Sequence, residues 1–521
     1  MFSHNTDHTR THMNSNARAP TKRTVIASLM VACSLTFGLT GCFGAGRHGT
    51  TNITQANAPN ATQLFTATVG RVEAPASARS ATVLVYLNGS DLESEAGEAS
   101  ADISEMLKSG IGTNANVVIQ TLGTKQWQDH GIASDHSQRH VVRNGKLELV
   151  DDSLGQLDTT SADTLSDFIR WGVQNYPADR YMLVLWDHGA GPVYGFGYDE
   201  FQSDYSALTL DEIQTALKQN ANAHFDIIGM DCCIMSSLET YSVLAPYCSY
   251  AILSEDFEPG IGWSYANWMS LLERNPTVDA KQLGTVIVDD MVAAVKADPE
   301  NGDATLALVD ESAIPKLYKA WLEFAYENED TLLNSNYSQE LSQHGHDARR
   351  FAHGNSHGSA SAYGGPFDGM VNGYGMGEGF MDYMGVGDGY GIWDYWDDDA
   401  SYVTMNDYFV TDIQSVASTV SSDKAAALKA ALKKAIVHYG CTSGDQGMCG
   451  MSVTLPYGDA AFYDELVTVF RKCGFDKDYL DWLGKFVDAE GANKYYSDYG
   501  YDQSFGNVQS PHGVWGSVSY A

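Results

Sequence analysis

Unbroken apolar runs alternate along this chain with segments whose apolar positions recur every three or four residues. Ala81 to Leu87 (ATVLVYL), Ala115 to Leu122, Tyr181 to Trp186 (YMLVLW), Phe225 to Met230, Tyr250 to Leu253, Ala304 to Val309 and Met451 to Leu455 are short runs. Such runs predict strands buried on both faces of a sheet. Between them, Ser161 to Asn175 places Leu165, Phe168, Ile169 and Val173 on one helical face. Helices are likewise predicted from the Asn88–Asp91 turn and cap to Leu107, over Leu208 to Gln219, over Ile234 to Leu244, and within 311–330, 411–438 and 461–488. Arg143-Asn144-Gly145-Lys146 marks a hairpin within His140 to Val150. Repeated strand–helix alternation predicts an α/β fold, a mostly parallel sheet flanked by helices.

Two stretches depart from this pattern. Near the start, Lys22 and Arg23 precede the apolar run Thr24 to Thr40, which ends in Leu39-Thr40-Gly41-Cys42. The run is short for a membrane span and fits a secretory signal. Its end resembles the bacterial lipobox, which implies removal of residues 1–41 and lipidation of Cys42. Residues 42–80, rich in Ala, Thr, Asn, Gly and Pro, read as a tether from lipid to domain. The second stretch, 344–394, holds fourteen glycines. Glycine at that density is expensive to order, so 331–400 reads as a flexible insertion between a core at 81–330 and a C-terminal helical or α+β part at 401–521. His344, His346, His353 and His357 inside it fit no closed zinc spacing.

Composition narrows the function. With 31 basic and 66 acidic residues the formal net charge is −35. Phosphate-contact binding of nucleic acid needs a basic footprint and is excluded; the same balance argues against electrostatic docking on anionic lipid. After the signal, the cysteines are Cys42, Cys232, Cys233, Cys248, Cys441, Cys449 and Cys473, too few for a disulfide-built scaffold. Cys441 and Cys449 are spaced to close a short loop in an oxidising compartment.

The candidate chemistry stands at two strand ends. In open α/β sheets, ligands bind beyond the carboxyl ends of strands. YMLVLW runs into Asp187-His188-Gly189, and the Phe225 run into Asp231-Cys232-Cys233. On parallel neighbouring strands, imidazole and thiol emerge on one rim. A cysteine needs a base or a lowered pKa to attack a carbonyl, and histidine supplies that base. Gly189 lets a substrate carbonyl approach a backbone N–H, one half of an oxyanion hole. A helix starting after Cys233 would favour thiolate through its positive end. A lone strand-end histidine or buried cysteine is more often structural, which is the reading for Cys232 and Cys248, while His224 reads as a loop histidine; the ordered pair of motifs is what points to catalysis.

Strand-His-Gly followed by strand-Asp-x-Cys resembles the caspase-like, clan CD cysteine peptidases. LVLWDHGAG (183–191), DIIGMDCCIMSSLE (226–239), ATVLVYLNGSDLE (81–93) and SEDFEPGIGW (254–263) are similar to the clostripain family, C11. The resemblance covers 80–330 well and 395–490 more thinly. It implies a caspase-like fold and a monomeric endopeptidase acting on proteins or peptides, with His188 and Cys233 as catalytic dyad and Asp231 lining the site. No cofactor is assigned; Ca²⁺ dependence occurs in parts of the family, and the acidic loops here permit it. Family enzymes cut after Arg or Lys using an aspartate in a PGDGW stretch; here Pro259-Gly260-Ile261-Gly262-Trp263 carries Ile261. An apolar pocket base leaves a guanidinium unpaired, which is costly. Strict Arg/Lys preference is therefore expected to be lost, with Glu255, Asp256 or Glu258 as substitutes if it is kept. Only Lys218 is basic in 189–232, which argues against self-processing there. The alternative is a non-catalytic surface-binding lipoprotein on a peptidase-like fold.

Overall fold

The computed structural model describes residues 64–66, 79–202, 207–297, 303–333, 409–442, 448–456 and 460–487. Residues 1–63, with the predicted signal and Cys42, and the Gly-rich stretch 344–394 lie outside the described residues.

Eleven strands are described: β1 (Arg79–Asn88), β2 (Ala115–Leu122), β3 (Gln138–Arg143), β4 (Lys146–Asp151), β5 (Ala178–Trp186), β6 (Phe225–Asp231), β7 (Cys248–Leu253), β8 (Thr305–Asp310), β9 (Val410–Asp412), β10 (Ile436–Cys441) and β11 (Ser452–Thr454). Nine of them form one sheet in the order β10-β8-β7-β6-β5-β1-β2-β3-β4, and β11 pairs with β9 separately. The middle of the large sheet is parallel, from β7 through β6, β5 and β1 to β2. Both margins are antiparallel. β1 passes to β2 on one side, while β5, β6 and β7 extend the sheet on the other. The strand order therefore reverses between β1 and β5, and a crevice opens at their carboxyl ends.

The unbroken apolar runs have a simple cause. Successive side chains on a strand point to opposite faces, and both faces here are covered. Val83, Val85 and Leu87 of β1 enter one apolar layer with the helices Glu98–Lys108, Tyr265–Arg274 and Ala280–Ala297. Leu84 and Tyr86 enter the other, with Ala162–Asn175, Leu210–Gln219, Ile314–Glu327 and Ala460–Cys473. Each fully buried Leu, Val or Phe stabilises the fold by about 1.5–3 kcal/mol.

Several boundaries differ from expectation. The helix predicted over 411–438 is instead β9, two helices (Ile413–Ser418 and Asp423–Ala435) and then β10. Ile436, His438 and the residues to Cys441 pair with β8, so the C-terminal part supplies an edge strand of the main sheet. Within the expected tether, Leu64 is buried in the core and Phe65 meets the Tyr318 ring edge-on at 5.9 Å. Cys441 and Cys449 are not bonded to each other. No helix among the described residues is long and apolar enough to cross a membrane.

Candidate active site

β5 and β6 are paired in parallel with Trp186 opposite Asp231, the last residue of each strand. His188 and Cys233 each lie two residues beyond that pair, so they leave neighbouring strand ends at one level. Paired strands stand about 4.8 Å apart. The loops stay together past the sheet: the Asp187 N–H donates to the Asp231 carbonyl at 3.4 Å. A Cβ on Gly189 would stand 2.1 Å from the Cys233 carbonyl oxygen and 3.0 Å from Cys232 Sγ. Gly189 is thus required by the close approach of the two loops.

His188 is buried, and its Nε2 donates to Asp91 Oδ1 at 2.8 Å. Burial alone would push the imidazole pKa down; the Asp91 charge and hydrogen bond outweigh it and the net shift is upward. Asp91 answers in the opposite sense. Burial would raise its carboxyl, but the His188 charge and hydrogen bond bring it below the ordinary value. Asp187 braces this corner. Its carboxylate accepts from the Asn88 amide, Ser90 Oγ (2.7 Å), the His188 N–H (2.7 Å) and the Tyr198 N–H (2.7 Å). Burial nevertheless raises its pKa to about 7. Asn88-Gly89-Ser90-Asp91, expected as a turn and cap, therefore closes one wall of the site from the end of β1.

Cys233 lies in an irregular loop. Ile234 takes φ 48°, a left-handed value that costs a β-branched residue roughly 1–3 kcal/mol. Its N–H bonds the Asp256 carbonyl at 3.0 Å, and the Ser236 N–H bonds the Ser254 carbonyl at 2.8 Å. These contacts hold the loop against the segment after β7. The Glu258 N–H reaches Cys233 Sγ at 3.2 Å. The helix expected at Ile234 begins only at Leu238, capped by Ser237 Oγ accepting from the Thr240 N–H at 3.1 Å. The positive helix end expected beside the sulfur therefore stands five residues further along the chain. Burial pushes the Cys233 thiol pKa far up, the Glu258 backbone bond lowers it in part, and the Glu258 and Asp256 charges add to the rise. Burial thus disfavours a resting thiolate.

Beside it is a buried carboxyl cluster. Asp231 accepts from Tyr265 Oη at 2.6 Å and from the Trp263 N–H at 3.2 Å, and burial still raises its pKa to about 6. Asp102 accepts from Trp186 Nε1 at 2.7 Å; burial and then the Asp231 charge hold its carboxyl well above the usual range. Burial and the Asp231 charge do the same to Glu258. Neither Glu258 carboxyl oxygen closes a hydrogen bond of ordinary geometry. Gly262, at φ 55°, carries the turn over this cluster: a Cβ there would stand 3.0 Å from Asp231 Oδ1 and 3.3 Å from Asp102 Oδ2. Ile261 packs, half-buried, on the adjoining apolar layer.

The profile of the clostripain family matches residues 85–481. The chain belongs to the clostripain family. Members of that family with solved structures are similar to it at low identity. One is a secreted C11 cysteine protease from Bacteroides thetaiotaomicron in complex with an irreversible peptide inhibitor (17% identity, 76% of this chain and 100% of that chain, TM-score 0.49). Another is an inactive zymogen C11 protease from Parabacteroides distasonis (15% identity, 77% and 99%, TM-score 0.49). No curated protein matches the chain.

In this clostripain-family chain the sequence-predicted His188, Gly189, Asp231, Cys233 and Glu258 share one end of the sheet, while Ile261 belongs as much to the core as to the site. Glu258 contributes backbone to the sulfur as well as its carboxyl. Asp91, Asp187 and Asp102 were not foreseen as site residues. The available signal for Asp91 was its place just past β1, the strand beside the reversal in order, where ligands gather. Cys232 and Cys248 are buried, and His224 Nε2 meets Ser249 Oγ at 3.1 Å.

Proposed function

We propose that the chain is a lipid-anchored, extracytoplasmic cysteine endopeptidase in which His188 and Cys233 form the catalytic dyad and Asp91 orients the imidazole. The observation that carries this reading is the register of β5 and β6, which sets imidazole and thiol two residues past paired positions. The Asp91 bond to Nε2 supports it, because it directs Nδ1 to proton transfer. As Cys233 sulfur attacks a peptide carbonyl, His188 takes the thiol proton. The oxyanion accepts the Gly189 N–H. Collapse expels the amine, which leaves with the proton from His188. Water, deprotonated by His188, then hydrolyses the thioester and restores the thiol. Because burial disfavours a resting thiolate, proton transfer accompanies attack rather than preceding it.

Proteins or peptides are the substrates, and the enzyme acts as a monomer held to the membrane through lipid on Cys42. Strict Arg/Lys selection at P1 is relaxed. Ile261 offers a guanidinium nothing, and burial raises the Asp231 carboxyl to about 6 and holds the Glu258 carboxyl well above its usual range, so the pair is a poor substitute for an ionised aspartate. Peptide-directed thiol probes test the assignment: labelling maps to Cys233, disappears in Cys233→Ala and survives in Cys232→Ala. A folded protein that takes no label at Cys233 would favour a surface-binding lipoprotein instead.

A further inference from the structure

The segment that brings the Glu258 N–H to Cys233 starts at Ser254, and its backbone is fixed. The Glu255 and Asp256 N–H groups both donate to Thr305 Oγ1, at 3.2 and 3.0 Å. Glu255 is fully buried and turns to the C-terminal part, where its Oε2 accepts the Gly450 N–H at 2.6 Å. Its other oxygen, Oε1, is buried and accepts no N–H or hydroxyl hydrogen bond among the described residues; the carboxyl instead faces that of Asp412. A carboxylate oxygen of Glu255, one of Asp412 and Sγ of Cys449 all lie within 4.8 Å of one another. Asp412 is held in place by the N–H groups of Ser415 (2.5 Å) and Cys449 (2.8 Å). The Tyr439 hydroxyl, also buried without a hydrogen-bond partner among the described residues, stands in electrostatic reach of all three.

Two buried carboxyls and a thiol facing one another, with an acceptor oxygen left over, suit a cation better than they suit each other. We propose that Glu255, Asp412 and Cys449 bind a divalent transition-metal ion, zinc by preference. The ligand type decides the metal. Ca²⁺ takes six to eight oxygens and no sulfur; a thiolate with carboxylates suits Zn²⁺ at bond lengths of about 2.0–2.3 Å. Tetrahedral ligands at that length stand about 3.5 Å apart, so the three donors need only small rotations. Cys449 gives up its proton to solvent on binding, as does any protonated carboxyl. The metal would clamp β9 and the start of β11 to the segment that supports Cys233. Ser452 already bonds that region, its N–H donating to the Ser236 carbonyl at 2.8 Å.

The test uses the mature chain carrying Cys233→Ala, so that His188 and Cys233 cannot together hold the ion and the outcome is independent of peptidase activity. The protein is stripped with chelator, reduced with a phosphine, and given Zn²⁺, Co²⁺ or Ca²⁺ in turn. Expected are about one zinc retained per chain after gel filtration, a higher Tm with Zn²⁺ but not with Ca²⁺, and a near-ultraviolet thiolate-to-metal band with Co²⁺. Cys449→Ser abolishes the band, and Asp412→Asn weakens zinc binding about tenfold or more. If Cys449→Ser does not fold, the cobalt band and its loss of intensity in Asp412→Asn decide the matter. No retained zinc, a cobalt complex without a thiolate band, equal binding by the variants, or equal stabilisation by Ca²⁺ would overturn the assignment.

Discussion

A buried imidazole is a weak base unless something holds its charge, and Asp91 does that for His188. The paired shifts, His188 upward and Asp91 downward, describe an ion pair at the crevice. Asp91→Asn is expected to lower kcat/KM by about 100-fold and to move the acid limb of its pH profile to lower pH, because the base then titrates earlier. A purely structural Asp91 would lower activity without moving the limb. Stability follows the same pair. A histidine with a raised folded pKa contributes stability that is full below its unfolded pKa, near 6.5, and is lost as pH rises through the folded value. The Tm difference between wild type and Asp91→Asn should therefore be larger at pH 6 than at pH 9. The thiol side of the site works through geometry: Cys233→Ala is expected to reduce turnover to background without loss of fold, checked by circular dichroism beside a peptide assay.

At the scale of elements, two loops touch where a side chain would part them. Gly189→Ala would set a methyl 2.1 Å from the Cys233 carbonyl. It is expected to destabilise by about 1–3 kcal/mol in urea unfolding and to lower probe labelling of Cys233 more than it lowers stability. The carboxyl cluster under the Gly262 turn is expected to make specificity depend on pH. Below about 6 Asp231 is protonated. The preference for a P1-Arg over a P1-Leu substrate should therefore rise as pH climbs through that value; a ratio flat from pH 5 to 8 would remove these acids from P1 recognition. The strands and the positions of His188 and Cys233 were legible because burial on both faces leaves an unmistakable apolar run. The helix start after Cys233 was not legible: the apolar run Ile234-Met235 looks helical, yet burial here is served by an irregular loop pinned to Ser254 and Asp256. Nor was the strand β10, whose half-buried edge lacks the signal of the inner strands. Asp91 looked like a cap because a cap and a histidine-orienting acid use the same residue type; only the sheet order tells them apart.

The whole molecule is strongly acidic, at −35. Its field attracts cationic peptides over distances of the order of the Debye length, about 8 Å at physiological salt. For a cationic peptide kcat/KM should fall as salt is raised, while a neutral peptide is little affected; parallel behaviour would place the acidic surface away from the approach path. The C-terminal part shares the core, supplies an edge strand and bonds the loop behind the sulfur, so removal of 409–487 is expected to abolish folding rather than trim specificity. The account rests most heavily on His188 activating Cys233 in the intact protein. That is read most directly from the pH dependence of alkylation at Cys233, followed by peptide mapping in wild type and His188→Ala. Activation by His188 predicts fast alkylation already near neutral pH in wild type and slow alkylation, rising only at alkaline pH, in the variant. Identical profiles for the two proteins, or alkylation at Cys232 in place of Cys233, would contradict it.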